Sequence, residues 1–383
     1  MYSREGGDNM LIHRTEGIVS NQSKISSLLS GDLRSAEGVL PSFLLDLSDM
    51  SMKNVRDAEF EPRAVSILET GIDDSEHGDI PIIAELDTVS LKPLRIFPKP
   101  TETTLAAVDV SNIKVGETES GILCALRGAI VWKVNGSYLY LRCGPITFHI
   151  GNNSREIMNR RLGLANVPAY GLNDTLASRT INRLRNTMER WIQRQLCMSS
   201  NNCVILFDGS LTAGMPDNPE RQLKEVLELA RSNGNVVVAL SKDTNLILGE
   251  KKIVSLLDDY EFPCIIDIDD SITSQLPRSP MRLMGRIFVV KLSANGFSFR
   301  LDIDRKVPIQ HGTEALCHIA GNDLVDHGYP ETLRLAHILS AFTANEVIGI
   351  QRYAARTHGL RICSEPSVRR QLFGPFASAR DSV

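Results

Sequence analysis

A mixed α/β fold built on one large sheet is predicted by three observations. Apolar runs of strand length recur at 104–112, 121–134, 137–150, 203–211 and 235–242. The second and third of these meet at Asn135-Gly136, a dipeptide favoured in two-residue hairpins, whereas the later runs are separated by helical stretches. A long amphipathic segment, from about Asp174 to Leu196, carries Leu184, Met188, Trp191, Ile192 and Leu196 at helical spacing. Three antiparallel strands followed by parallel strands reached through helices is the ribonuclease H-like order. The expected fold is therefore a ribonuclease H-like mixed sheet with flanking helices and one departure, an inserted late β-hairpin at 285–304 turning at Asn295-Gly296.

Each element has a local reason. The run "TLAAVDVSN" is apolar up to Asp109, and "CVILFDGSL" is a buried strand closing on Asp208. A helix near Pro219 to Ser232 leads into "NVVVALSK". The stretch "GYPETLRLAH" opens a helix, with Pro330 suited to a first turn and apolar residues at Leu333, Leu335, Ile338 and Leu339. That helix is expected to run from Glu331 to about Thr357. His337 would share a face with Leu333, Ala341 and Ala344.

The chain of 383 residues is 42% hydrophobic, enough for a large core. Its formal charge of -4 gives no global signature of a nucleic-acid binder, so such binding would need a local basic lining. No apolar run is long enough to cross a bilayer, and the first residues lack the apolar centre of a secretory signal. The 7 cysteines form no C-x-x-C pair and sit mostly in apolar runs, the usage of a reducing cytoplasm.

Residues 1–35 are rich in Ser, Gly and charge and read as a poorly ordered N-terminal segment, with a short helix around Ile25 to Leu29. Residues 36–95 are expected to be a helical N-terminal region, read equally as a dimer or partner contact and as intramolecular packing. The main domain is expected over 96–360, with a tail over 361–383.

The candidate chemistry begins with Asp109 and Asp208. One carboxylate at the tip of a buried strand is ordinarily a cap or turn former. Two on strands that neighbour each other in one sheet can share a divalent cation, and without positive charge they would repel. Glu189, between Arg185 and Arg190, reads as a third acid or as a solvated helix face, and spacing alone does not separate it from Glu156 or Asp174. His337 reads equally as a core histidine and as a ligand. Lys242 reads as a turn lysine or as a grip on phosphate. Arg160, Arg161, Arg179, Arg183, Arg185, Arg190 and Arg194 make the long helix and its approach basic.

A competing motif lies at "CIIDIDDSIT", 264–273, with "GNDLVD" at 321–326. Together they approach the strand-plus-D-x-D pattern of haloacid dehalogenase-like phosphatases. Ser271 departs from that pattern, and the interval between the two pieces is filled largely by a hairpin.

Taken together, "AAVDVSN", "VILFDGSLT", "ALSKDTN" and "GYPETLRLAH" resemble the NurA nuclease family, in the family's order and over roughly residues 100 to 350. The resemblance implies a manganese-dependent DNA nuclease (magnesium being the alternative cation), with 5′-to-3′ exonuclease and single-strand endonuclease activity. It implies a ring-shaped homodimer working with a HerA-type hexameric ATPase in archaeal DNA-end resection. By motif position it places metal-site acids at Asp109 and Asp208, an active-site tyrosine and histidine at Tyr329 and His337, and the intervening glutamate at Glu189. His337 would join the three acids as a metal ligand. Arg185, Lys242 and Tyr329 would meet nucleic acid. Val110 departs from the family's Asp-Gly-Ser first motif, so the turn after Asp109 is expected to be of a different kind. Glu331 and Thr332 stand where the family often has a second proline and flanking residues. The alternatives to a nuclease are a non-catalytic ring-shaped adaptor that threads DNA for the ATPase, and the phosphatase.

Overall fold

The computed structural model describes residues 40–53, 83–84, 92–118, 120–163, 176–215, 218–248, 251–273 and 281–360. The expectations for residues 1–35, for the stretch "PRAVSILETG" and for the tail 361–383 lie outside the described residues. No described helix is long and apolar enough to cross a membrane.

Eight strands form the main sheet. They are β1 (Leu105–Thr118), β2 (Gly121–Val134), β3 (Ser137–Gly151), β4 (Val204–Asp208), β5 (Val236–Ser241), β6 (Cys264–Asp267), β7 (Gly285–Lys291) and β8 (Ser298–Asp304). Their spatial order is β3-β2-β1-β4-β5-β8-β7-β6, and the short segment Leu94–Arg95 pairs outside β6 to complete nine strands. β1, β4 and β5 are mutually parallel in that order, and the other pairings are antiparallel. The first five strands therefore follow the ribonuclease H-like order that the sequence predicts. The late hairpin, β7–β8, extends the same sheet beside β5 instead of forming a separate unit.

The β2–β3 turn is as the dipeptide demands, with Asn135 and Gly136 both at positive φ, 47° and 78°. Antiparallel strands joined so tightly run on together, and β1, β2 and β3 reach 14, 14 and 15 residues. This corrects one expectation. β1 does not end or turn at Asp109; the strand continues through Val110 to Thr118, paired to β2 along its length. With valine in place of a turn-forming glycine, nothing interrupts the ladder at Asp109, and its register shifts only further on, between Lys114 and Gly116. Asp109 is thus a mid-strand residue.

The longer described helices are α1 (Ser42–Lys53), α2 (Asn152–Arg161), α3 (Leu176–Ser199), α4 (Glu220–Ser232), α5 (Ile309–Asn322), α6 (Glu331–Ser340) and α7 (Ala344–His358). Strand alternation sorts the core into two layers. Ala106, Val108 and Val110 of β1 pack with Leu184, Met188 and Ile192 of α3 and with Leu223 and Leu227 of α4. Leu105 and Ala107 face the other way, with Leu206, Val238 and Leu240, against Leu316 and Ile319 of α5 and Leu333 and Ala336 of α6. α1 folds back on β3, where Ser48 Oγ donates to the Thr147 carbonyl at 2.6 Å.

The expected final helix is two helices. Ala341 is extended, and Thr343 caps a new helix by accepting from the Glu346 N–H while the Glu346 side chain returns to the Thr343 N–H. Ala344 therefore does not share a helix with His337. Glu346 also ties α7 to the sheet. Its Oε1 lies 2.9 Å from both Arg127 Nη2 of β2 and Arg142 Nη2 of β3. Arg127 is buried, donates to the Ala341 carbonyl at 2.9 Å and stacks on Phe342.

Two predictions follow from this packing. Glu346→Gln leaves the buried Arg127 guanidinium without its charge partner, and chemical denaturation is expected to show a loss of about 2–4 kcal/mol. His149 is 3% exposed, accepts or shares a hydrogen with Thr118 Oγ1 at 2.7 Å, and burial lowers its pKa from 6.5 to about 4. The unfolded chain therefore takes up this proton first. Its contribution to stability is whole above about pH 6.5, falls as the pH drops toward 4, and is spent below that, up to about 3 kcal/mol. Denaturant titrations at pH 7 and 4.5 should show a smaller difference in His149→Gln than in the wild type.

Candidate metal centre

The site rests on the register of two parallel strands. Val108 pairs with Phe207 across β1 and β4, so Asp109 and Asp208 each stand one residue beyond that pair. Alternation then turns both carboxylates to the face that carries Leu105, Ala107, Val204 and Leu206. β5 supplies the third strand. Val238 and Leu240 lie on the same face, and Lys242, two residues further on, brings Nζ to 2.7 Å from Asp208 Oδ2.

α6 covers this strand edge. Leu333 and Ala336 anchor it in the core, and His337 Nδ1 lies 3.1 Å from Asp109 Oδ2 and 3.9 Å from Asp208 Oδ2. One turn on, the buried Ser340 donates to Asp109 Oδ2 at 2.6 Å and shares a hydrogen bond with Ser111 Oγ at 2.8 Å. Ser340 and Ser111 were not legible as site residues. The signal was present, because Ser340 lies three positions after His337 and Ser111 two after Asp109.

Tyr329 enters through a tight lead-in. Gly328 has φ +87°, and a Cβ there would lie 2.5 Å from the Phe297 carbonyl oxygen, so only glycine fits. The Tyr329 ring packs edge-on to Phe299 at 5.4 Å between centroids, and its hydroxyl lies 3.4 Å from Asp208 Oδ1. Lys242 Nζ stands 5.7 Å from the same ring's centre.

Electrostatics follow from these contacts. Burial pushes the Asp109 carboxyl up, but the hydrogen bonds from His337 and Ser340 and the charge of Arg185 outweigh it, leaving the pKa below its ordinary value. The bond to Asp109 raises His337 against burial and the charge of Lys242. Glu189 is half-buried on α3 and accepts from Gln193 Nε2 at 2.9 Å. Burial raises its pKa, opposed by Arg185 and Arg190 and reinforced by Asp109 and Asp208.

Asp109, Asp208 and His337 each offer one ligand atom, all within 4.8 Å of one another. Two carboxylate oxygens and one imidazole nitrogen fit a divalent cation such as manganese or magnesium. Glu189 lies within electrostatic reach of both aspartates but does not share this group of three. Glu156, one rival for the third acid, is an exposed partner of Arg160 at 3.2 Å; Asp174, the other, lies outside the described residues.

The arginines of α3 are largely committed to the fold. Arg183 is buried and donates to the Leu162 carbonyl, Arg185 Nε donates to the Val110 carbonyl at 2.7 Å, and Arg190 reaches Gln193 and Asn218. The D-x-D motif is likewise occupied by structural bonds. Asp267 pairs with Arg286, and Asp269 holds Arg305 through both oxygens while accepting from the Ile287 N–H. Asp323 accepts from Tyr138 and from the Thr332 N–H. Among the described residues these carboxylates join no group that could hold a metal ion, so the phosphatase reading draws no support from them.

The family model described as the NurA domain matches residues 103–248. The chain carries a NurA domain. The matched span runs from β1 to just past β5 and includes Asp109, Glu189, Asp208 and Lys242, whereas Tyr329 and His337 come to the candidate site from beyond it. Among solved structures, the chain is similar to the crystal structure of the NurA nuclease from Sulfolobus solfataricus, at 17% identity and a TM-score of 0.45, over 72% of this chain and 90% of that one. It is also similar to a second structure, described as the crystal structure of NurA, at 10% identity and a TM-score of 0.37, over 69% of this chain and 91% of that chain. No curated protein matches the sequence.

Ser340→Ala removes a hydrogen bond to the buried Asp109 carboxylate. A loss of about 1.5–3 kcal/mol is expected in thermal or denaturant unfolding.

Proposed function

We propose that this chain is a metal-dependent DNA nuclease, a phosphodiester hydrolase whose catalytic unit spans residues 96–360. The observation that carries the reading is the convergence of Asp109, Asp208 and His337 within 4.8 Å inside a chain that carries a NurA domain. Asp109, Asp208 and His337 would hold the cation, with Glu189 approaching as the third acid from α3. Manganese is the proposed ion and magnesium the alternative. When bound, it would supply Lewis-acid polarisation of the scissile phosphodiester and activation of water for in-line attack.

The protein's own groups do the rest. Ser340 and His337 fix the Asp109 carboxylate in one orientation. Lys242, partly exposed and paired with Asp208, brings a positive charge that can neutralise a backbone phosphate. Tyr329 offers a hydroxyl beside Asp208 to orient that phosphate, on a ring steadied by Phe299. Arg185 places its charge behind Asp109.

The family likeness extends the proposal to 5′-to-3′ exonuclease and single-strand endonuclease activity. It likewise extends it to a cytoplasmic homodimer that acts with a HerA-type ATPase in double-strand-break end resection.

Purified protein with manganese should degrade end-labelled linear DNA. Asp109→Asn and Asp208→Asn should each lower the rate by about 10²-fold or more, and His337→Ala by about 10–100-fold. Hydrolysis that proceeds equally well in both aspartate variants would overturn the reading. Absence of hydrolysis by a folded wild-type protein that still binds DNA would leave the adaptor role in its place.

A further inference from the structure

A second functional surface stands beside Tyr329. Phe297, at the end of the β7–β8 connection, and His327, two residues before Tyr329, place their rings 6.2 Å apart at an interplanar angle of 21°. Both are open to solvent, at 66% for Phe297 and 72% for the His327 side chain. Burial therefore does not account for them, and a large exposed aromatic on a rigid support is a common form of a binding surface.

The support is rigid for stated reasons. The Phe297 N–H donates to the His327 carbonyl at 2.8 Å. Gly296 and Gly328 lie back to back, so that a Cβ on Gly296 would come within 2.5 Å of the Gly328 nitrogen. His327 is held at φ 52°, a conformation uncommon outside glycine, and its Nδ1 lies 2.9 Å from Asp326, which is itself paired with Arg334. A second aromatic pair stands on the same two segments. Phe299, two residues after Phe297, is nearly buried and packs on Tyr329, whose hydroxyl reaches Asp208. The same two segments thus carry two aromatic pairs, an exposed one (Phe297 with His327) and, two residues on in each segment, an inner one (Phe299 with Tyr329) beside Asp208.

From this placement we infer that Phe297 and His327 form a stacking platform for the bases of single-stranded DNA entering the site. The inference rests on the nuclease reading and deepens it by naming the residues that take up the bases of the strand. Every base has a π face, so stacking here is tolerant of sequence, and an unpaired strand exposes those faces while a duplex hides them. The cation beside the platform, Arg334, is already paired with both Asp326 and Glu331. The platform's contribution is therefore expected to vary little with salt, in contrast to that of Lys242.

The test is fluorescence anisotropy of a labelled single-stranded oligothymidylate, and of a blunt duplex, with the full chain in EDTA so that nothing is cut. Phe297→Ala should weaken single-strand binding by about tenfold, leave the salt slope unchanged and barely affect the duplex. Phe297→Tyr should restore the affinity. Phe297→Trp should show indole fluorescence quenched on adding the oligonucleotide, a signal that a merely structural residue would not give. Circular dichroism and melting of each variant establish that it is folded, as an exposed position allows. If the wild type binds and cleaves while Phe297→Ala binds the single strand equally well, the platform is refuted and the nuclease reading stands. If the wild type neither binds single strands nor cleaves DNA, the nuclease reading falls and takes the platform with it.

Discussion

The site depends on holding two like charges side by side. Asp109 and Asp208 stand at matching positions of adjacent parallel strands and point to the same face, a strand spacing of about 4.8 Å apart. Asp109 is 3% exposed and Asp208 has 8% of its side chain exposed, so solvent screens little of their repulsion. Positive and hydrogen-bonding groups must arrive from elsewhere. Lys242 comes from the next strand, His337 and Ser340 from α6, and Arg185 from the opposite layer. A sheet that failed to bring these elements to one edge would be destabilised at its centre.

This requirement gives meaning to features that otherwise look incidental. The break between α6 and α7 lets α6 end at Ser340, over Asp109, while α7 turns to pack on the far half of the long β1–β3 meander. The capping box at Thr343 and Glu346 starts the new helix, and the same glutamate locks it to Arg127 and Arg142. The inserted hairpin plays a similar part. It widens the sheet beside β5, and its turn backs onto Gly328, which fixes where Tyr329 can go. A buried ion pair on β8, Arg300 with Asp302, also accepts the Leu211 N–H at 2.9 Å and so holds the loop that follows Asp208.

Local pattern misplaces part of the candidate site. Asp109 drew notice as a strand end, yet the strand runs straight through it; what matters is its register with Asp208, which no local pattern contains. Lys242 divided between a turn residue and a phosphate grip, and the fold gives it an ion pair with Asp208. Helical spacing did not separate Glu189 from its rivals, because the reach of a helix side chain over a sheet is a matter of packing angle. The D-x-D stretch at 267–269 looked like chemistry and is bonded to Arg286 and Arg305. Ser340 passed unnoticed because one serine in a helix carries no signal until its neighbour across the gap is known.

By itself the sequence determined the elements and their order. Apolar period, the Asn-Gly turn and the amphipathic segment of α3 are local properties, readable within a dozen residues. It also determined which residues had the chemistry to form a site. Tertiary structure alone decided which of them meet. Asp109 and His337 are 228 positions apart and touch at 3.1 Å, a contact set by strand register and by the packing of α6 on the sheet. Such contacts depend on long-range burial and on the exclusion of unpaired charge, and neither is encoded in any single stretch of chain.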